Sequence, residues 1–363
     1  MNGVPRRPDR RLGCCLAALL WAVPASHAQP YRWQAYILHE DGFLDSKATA
    51  IDGDMACGNQ QRDAALWPGL DPLFVNLKPD GALSAFVEGA DGGSQGGDAN
   101  WSLQVQPPAI WRSSQESFID VTPDGPYANG DVKAITDEIA VGYTVAIDGL
   151  PTAILWSVSD PDEFVALEPS WADWSDAWST DGVWQGGRVA STANGGLQIG
   201  YWKGTPESWT RLDGPGIDGN IFGMAPGTQV GYVVRGNSRA TLWHNTPESV
   251  VDMHPDGAIA SRLYATTGNM HVGYADAPGE PSHARLWLSD EPHDNLDLHR
   301  FVPDEYALGA SAAYDISIVD GVIYIAGGVS VSRTRACLWV GRPVDSSDDV
   351  PPKKEPEFIG PRP

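Results

Sequence analysis

The residues best placed to do chemistry are aromatic side chains in irregular loops that depart from an otherwise regular pattern. Rings in such loops can stack on sugars or contact other proteins, because each offers a flat apolar face. Capping of the hydrophobic core is the alternative use of the same rings. The six candidates for ligand binding are Trp101, Tyr127, Trp171, Trp174, Phe301 and Tyr306.

Acidic side chains accompany these rings. Carboxylates there suit a basic partner or Ca²⁺, or they could supply the acid and base of a hydrolytic site. The metalloprotease pattern HExxH and the phosphate-binding pattern GxxxxGK do not occur, and neither does an EF-hand Ca²⁺ loop. No catalytic residue, metal ligand or cofactor is therefore predicted. The acidic residues are Asp98, Asp131, Asp173, Asp176, Asp304 and Glu305.

The elements that must position these loops are set by a repeat. A Trp preceded by an apolar or aromatic residue recurs seven times, at spacings between 41 and 52 residues, so the period is about 45 residues. The seven positions are Trp67, Trp111, Trp156, Trp202, Trp243, Trp287 and Trp339.

Two other segments keep this period, one with a Gly near its end, as in QVGY, and one that ends in a turn, as in VVDMHPDG. With a fourth, looser segment they make four short strands separated by Gly, Pro and Asp turns. Units of this kind are blades of a β-propeller. The prediction is an all-β, seven-bladed β-propeller of four-stranded blades over residues 31–341, with the repeated Trp residues in its core.

Three histidines share one position of the repeat, at the end of the VVDMHPDG-type segment. They are His39, His254 and His299, and other repeats have Lys, Thr, Glu or Asp there. A position that accepts all these types is expected to be a solvated strand end rather than a metal site.

The segments SHARLW, VDMHPDG and QVGY resemble the HAF repeat of bacterial extracellular proteins, in which His-Ala-Phe precedes a Leu-Trp-like strand. His283 and Ala284 match the first two letters, and Arg285 stands where the family has Phe. The resemblance extends over nearly all of the chain after residue 28. It implies export and a repeated β architecture, and it carries no catalytic residues to this sequence.

The stretch YILHEDG, residues 36–42, has the pattern of a blade's last strand but precedes the first complete blade, which begins near Ser46. The last blade ends near Val340 without such a strand, and an open ring would expose unpaired strand edges. We therefore predict that the N-terminal strand pairs into the last blade and closes the ring. Closure makes the blades of Cys57 and Cys337 neighbours, so two alternatives stay open: a disulfide or two buried thiols.

The two ends of the chain differ from the repeats. Residues 1–28 combine a basic start with the short apolar run LGCCLAALLWAVP, which predicts a signal peptide and a secreted or periplasmic protein. Residues 342–363 are Pro-rich and charged and are predicted to be a disordered tail. The net charge of −23 disfavours nucleic acid as a partner, and no later segment is apolar enough for membrane insertion.

Variable loops on a rigid ring favour a binding role. From the sequence we expect a secreted, monomeric and non-enzymatic scaffold that binds an unknown protein, glycan or surface polymer through the face that carries the irregular loops. The alternative is an extracellular hydrolase or lyase that uses carboxylates on that face.

Overall fold

A computed structural model describes residues 31–344, except residues 103, 126, 147–148 and 215–216. The predicted signal peptide and nearly all of the predicted tail lie outside these residues. The described part of the chain forms seven four-stranded antiparallel sheets, and helices are limited to five single turns of 3-10 type. The prediction of a seven-bladed, all-β propeller is confirmed. None of the described helices has the length and apolar content that a membrane crossing requires.

The strands of the seven blades follow each other along the chain. Blades 1 to 3 contain β2–β5 (Ser46–Asp52, Met55–Gln60, Asp63–Pro68, Val75–Asn76), β6–β9 (Ser84–Asp91, Ser94–Asn100, Pro108–Trp111, Ile119–Asp120) and β10–β13 (Tyr127–Ile135, Ile139–Ala146, Pro151–Ser157, Phe164–Ala166). Blades 4 to 6 contain β14–β17 (Trp174–Thr180, Gln185–Ser191, Gly196–Trp202, Thr210–Arg211), β18–β21 (Gly219–Ala225, Thr228–Arg235, Asn237–Trp243, Val251–Asp252) and β22–β25 (Ala260–Thr266, His271–Asp276, Ser282–Trp287, Asn295–Asp297).

Blade 7 closes the ring with both ends of the chain. It contains β26 (Ala310–Val319), β27 (Val322–Ser330), β28 (Thr334–Pro343) and β1 (Tyr31–Ile37). Strand β1 is antiparallel to β28, in a register that runs from Tyr31 opposite Pro343 to Ile37 opposite Cys337. The predicted closure by the N-terminal strand is confirmed, but the strand begins earlier than predicted, and only Tyr36 and Ile37 of the stretch YILHEDG belong to it. The single-turn helices are Gln115–Ser117, Pro206–Ser208, Pro247–Ser249, His299–Phe301 and Asp304–Tyr306.

The first strand of each blade packs beside the first strands of its neighbours and so lines the central channel. Because strands alternate in direction, the hairpin turns between first and second strands lie on one face of the ring. We call this the turn face. The connections that lead from one blade to the next lie on the opposite face, which we call the loop face.

The repeated Trp and Gly residues have the structural roles that the repeat predicted. All seven Trp side chains are essentially fully buried between blades, where their large rings fill the space that two twisted sheets leave. The repeated Gly lies opposite a β-bulge in the first strand: in blade 3 the register shifts between Val132 and Ala134, across from Gly142. A Cβ on Gly142 would overlap the carbonyl oxygen of Asp131, so the bulge requires glycine there.

The three repeat-position histidines correct the sequence analysis, because they connect neighbouring blades instead of extending into solvent. His299 is only 4% exposed, and its Nδ1 lies 2.8 Å from Ser311 Oγ on the next blade. The amide of Ala284 in turn donates to that Ser311 hydroxyl at 2.9 Å. His39 with Ser46 and His254 with Ser261 repeat the arrangement. The serine supplies a short polar partner at a buried junction, a pairing that composition at the histidine position alone does not reveal.

Candidate active site in the central channel

A ring of seven side chains surrounds the middle of the channel. Each blade contributes the extra residue of its bulge, and a bulge re-aims a side chain that regular pairing would hold in the sheet. We call these residues the waist ring. They are Thr49, Glu88, Lys133, Trp178, Phe222, Tyr264 and Tyr314, and all seven line one cavity.

Four consecutive blades give the waist ring an aromatic side. The ring centroids of Trp178 and Phe222 are 5.5 Å apart, those of Phe222 and Tyr264 are 5.2 Å apart, and those of Tyr264 and Tyr314 are 5.2 Å apart. These separations are typical of packed aromatic pairs. The aromatic rings therefore support each other and form a continuous wall through blades 4 to 7.

The other side of the waist ring is charged. Lys133 Nζ contacts Asp131 and lies 3.7 Å from Glu88 Oε1. Burial opposes the charged form of Lys133, but Asp131 and Glu88 outweigh burial and hold the lysine pKa above its usual value. Lys133 and Lys47 also lie over the ends of the aromatic wall, with Nζ 5.0 Å from the Trp178 ring and 4.0 Å from the Tyr314 ring respectively.

Between the waist ring and the turn face lies a cavity of about 390 Å³, which we call the bowl. Aromatic side chains of blades 4 to 7 form one wall. Blades 7, 1 and 2, which are consecutive around the ring, contribute the carboxyl groups of Asp315, Asp52 and Asp91. This volume is within the range of small-molecule sites, about 300–1,000 Å³. The bowl is thus a concave site lined by both aromatic rings and carboxyl groups.

Asp315 has the strongest sign of functional tuning in the bowl. Its Oδ2 accepts a hydrogen bond from the amide of Ile51 at 2.9 Å, and its Oδ1 accepts one from its neighbour Ile316 at 2.8 Å. Burial raises the pKa of Asp315 to about 7; the two hydrogen bonds oppose the rise, and nearby Asp91 and Asp52 add to it. Asp315 is therefore partly protonated at neutral pH.

The two neighbouring acids are held by backbone amides of the turn face. Asp91 Oδ2 accepts from the amide of Asp137 at 3.2 Å, and Asp52 Oδ2 accepts from the amide of Gly93 at 2.8 Å. Burial, followed by the charges of Asp137 and Asp52, raises the pKa of Asp91. These hydrogen bonds fix the carboxylates at the ends of the innermost strands, where they face the bowl.

A second pair of acids lies behind the waist ring, outside the bowl. The carboxyl of Asp131 is buried, and its Oδ1 has no hydrogen-bond partner among the described residues. Burial raises the pKa of Asp131, and it raises that of Asp98 to about 7, although Lys133 opposes both shifts. Both residues are among the acids singled out in the sequence. Their buried positions suit electrostatic support of Lys133 better than contact with a ligand.

The six aromatic residues predicted as a site do not come together. Trp101 packs on Phe118 with centroids 5.3 Å apart, and Phe301 stacks on Trp33 at 6.2 Å. Tyr306 packs against the core of blade 7, and Tyr127 begins β10. Trp101, Phe301 and Tyr306 thus pack against the hydrophobic core, which was the alternative to ligand binding. Ligand binding by the six residues stays a prediction.

Trp171 and Trp174 lie on separate surfaces. Trp171 is 39% exposed and borders a shallow groove with Trp209 and Pro206. Trp174 is connected to the channel: the Arg188 guanidinium lies 5.5 Å from its ring and 5.7 Å from the ring of Trp178. Of the six predicted residues, Trp174 is the one whose contacts lead to the waist ring.

The cysteines left two alternatives open, and the structure has the second of them. Cys57 and Cys337 are free thiols, both fully buried, in hydrophobic clusters on different blades. Burial raises the pKa of both thiols. Among the described residues, no group of three or more His, Cys, Asp or Glu side chains is placed to hold a metal ion.

The sequence also contains a motif that the sequence analysis missed: residues 92–96 read GGSQG, which matches the GxSxG motif of α/β-hydrolases. That pattern is catalytic where the serine occupies a sharp turn from strand to helix. Here Ser94 is the first residue of β7, in a hairpin between two strands, and is buried. The context that would make Ser94 a nucleophile is therefore missing at this position.

Sequence reasoning missed the waist ring and the bowl acids. The signal that could have found the waist ring is one position in the first strand of each blade. The residue before that position is always small or aliphatic, whereas the residue at the position itself varies from Thr to Trp. The bowl also opens on the turn face, whereas the sequence placed candidate carboxylates on the loop face.

Comparison with known proteins gives likeness in fold. No protein-family model matches the sequence, and no curated protein sequence matches it either. The HAF resemblance therefore stays a prediction. A solved structure from a study of two prolyl endopeptidases has a TM-score of 0.50 and 11% identity, and the match covers 85% of this chain and 51% of that one.

Two further solved structures are similar at lower TM-scores. One is a puromycin-hydrolyzing peptidase of Mycobacterium tuberculosis, with a TM-score of 0.48, 14% identity and coverage of 76% of this chain and 47% of that one. The other is prolyl oligopeptidase B of Galerina marginata, with a TM-score of 0.49, 11% identity and coverage of 83% and 48%. This chain spans about half the length of each of these proteins.

These findings correct the predicted function. A non-enzymatic binding scaffold was expected, but the solved structure with a TM-score of 0.50 comes from a study of two prolyl endopeptidases, and the channel contains a bowl with tuned carboxyl groups. The main prediction is therefore wrong, and the alternative of a hydrolase fits better.

Proposed function

We propose that this protein is an exported hydrolase that cleaves peptide bonds in the bowl, with Asp315 as general acid and Asp91 as general base. The observation that carries the proposal is the presence of two carboxyl groups, in different surroundings, within one aromatic-walled cavity. Neighbouring carboxyls of unlike environment can divide the roles of acid and base.

The chemistry needs one protonated and one ionised carboxyl. A pKa of about 7 leaves Asp315 with a proton to give at neutral pH. Ionised Asp91 would take a proton from the attacking water as its oxygen bonds to the carbonyl carbon. Asp315 would donate its proton to the leaving amine nitrogen as the carbon–nitrogen bond breaks.

Two other observations support parts of the proposal. The peptide bond as substrate is supported by the similar solved structures, among them a prolyl endopeptidase and a puromycin-hydrolyzing peptidase. Export to a secreted or periplasmic location is supported by the basic start and short apolar run of residues 1–28. A monomer is part of the same proposal.

The test is turnover of a fluorogenic peptide panel by the full chain and two variants. Asp315→Asn and Asp91→Asn should each lower kcat by about 10²–10⁴-fold, the usual contribution of a general acid or base. The matched control is Glu280→Gln, an exposed acid in a loop of blade 6, which should keep full activity.

The pH profile gives an independent readout. Because the reaction needs protonated Asp315, kcat should fall as pH rises through about 7. Absence of turnover on every peptide, or equal turnover by the wild type and both Asp variants, would refute the proposed function.

A further inference from the structure

The bowl has a strongly unbalanced charge. Its described lining includes five carboxyl groups and one ammonium group, that of Lys133. Lys133 is already neutralised by contact with Asp131 behind it. Carboxylates around a confined cavity focus a negative potential that draws cations inward. The carboxyl groups belong to Asp52, Glu88, Asp91, Asp181 and Asp315.

The aromatic residues around the channel already bind cations from within the protein. Lys47 Nζ lies 4.0 Å from the Tyr314 ring, and the Arg262 guanidinium lies 4.2 Å from the ring of Tyr232, which packs on Phe222. Such contacts are favourable because the face of an aromatic ring carries negative charge. The wall therefore has the chemistry that holds ammonium and guanidinium groups.

Two members of the wall, Phe222 and Tyr264, have no such partner. Both line the bowl, and among the described residues no lysine or arginine lies over either ring. The ring of Phe222 and the carboxylates thus line one cavity that is large enough for a long side chain.

We propose that the bowl binds a cationic group, so that the preferred substrates are peptides with an arginine or lysine side chain. The cation would lie between Phe222 and the carboxylate of Asp52, with the aliphatic stem along the aromatic wall. The preference for basic peptides as substrates rests on the proposed hydrolase function, whereas binding of a cationic group in the bowl does not.

Calorimetry on the full chain can test binding without any turnover. The probes are Nα-acetyl-arginine methylamide and its citrulline counterpart, which has nearly the same shape but no charge. The arginine probe should bind at least ten times more tightly, and the difference should shrink as salt is raised because screening weakens charge attraction. Equal affinity for the two probes, or no binding of the arginine probe at millimolar concentration, would overturn the inference.

Two variants test the proposed position of the cation. Asp52→Asn and Phe222→Leu should each weaken binding of the arginine probe, the latter by about 2–5-fold, as expected for loss of one partly exposed cation–π contact. Neither should change affinity for citrulline, which separates a local effect from misfolding, and thermal melting checks the fold. Glu280→Gln is the matched control. Unchanged arginine affinity in both variants would contradict this location.

The outcomes separate this inference from the hydrolase proposal. Selective binding of the arginine probe without turnover of any peptide would support the cation site and refute the hydrolase. Turnover of neutral peptides as fast as basic ones, without probe selectivity, would support the hydrolase and refute the cation site.

Discussion

Closure of the ring depends on contacts that one substitution can measure. Leu38 follows strand β1 and is 0% exposed; its amide donates to the carbonyl of Ala336 at 2.9 Å. Its side chain packs in a cluster with Leu338 of blade 7 and Trp67 of blade 1. Leu38 therefore attaches the N-terminal strand to both blades that meet at the closure.

Leu38→Ala should lower the free energy of unfolding by about 2–5 kcal/mol, the range for a buried leucine that leaves a cavity. Since each 1.4 kcal/mol is about a factor of ten, the folded-to-unfolded ratio should drop by about 30-fold to several thousand-fold. Urea unfolding of the full chain, followed by tryptophan fluorescence, measures this change, because all seven repeat tryptophans are buried between blades.

The matched control is Leu44→Ala. Leu44 is 50% exposed in the loop between β1 and β2, so its loss should change stability by less than about 0.5 kcal/mol. If Leu38→Ala were no more destabilising than Leu44→Ala, the N-terminal strand would contribute nothing to the ring, and closure as the source of stability would be refuted.

Two further predictions concern the repeat and the thiols. Gly142→Ala should destabilise the protein by more than about 2 kcal/mol because the new Cβ would overlap the carbonyl oxygen of Asp131. The control Gly214→Ala places its Cβ at an ordinary contact distance from Ile217 and should cost less than about 1 kcal/mol. Urea unfolding compares the two variants, and equal effects would refute the bulge argument. Cys57 and Cys337 should react with iodoacetamide only after unfolding, because both are fully buried with raised pKa values, and mass spectrometry that found rapid labelling of the native chain would contradict their burial.

The fold could be predicted because its signals are repeated seven times. One Trp in a sequence has many uses, but Trp67 and its six counterparts, at a period of about 45 residues, indicate similar units that stack. The unpaired strand before Ser46 was equally informative, because only the last blade lacked a fourth strand and could accept it. These are statements about topology, which periodic patterns determine.

The site could be predicted only in part, because sequence separation does not give distance in space. Asp315 and Asp91 are far apart along the chain, and only the closed ring brings their strands, β26 and β6, to positions around the bowl that β2 alone separates. The loop aromatics attracted attention because they broke the pattern, yet Trp101 and Phe301 break it to cap the core. A departure from the repeat thus indicates a local need without saying which one.

The waist ring gives a sharper criterion. Packing restricts the positions beside the waist ring: in all seven blades the residue before the bulge is Ala, Val, Ile or Leu, and the residue opposite it is glycine. The bulge residue itself faces the channel. A scaffold without a task there could have used seven similar residues. Instead, Glu88 and Lys133 stand on one side and an unbroken aromatic run on the other. This asymmetry, on a ring that is otherwise repetitive, is the strongest reason to look for function in the channel and not in the loops.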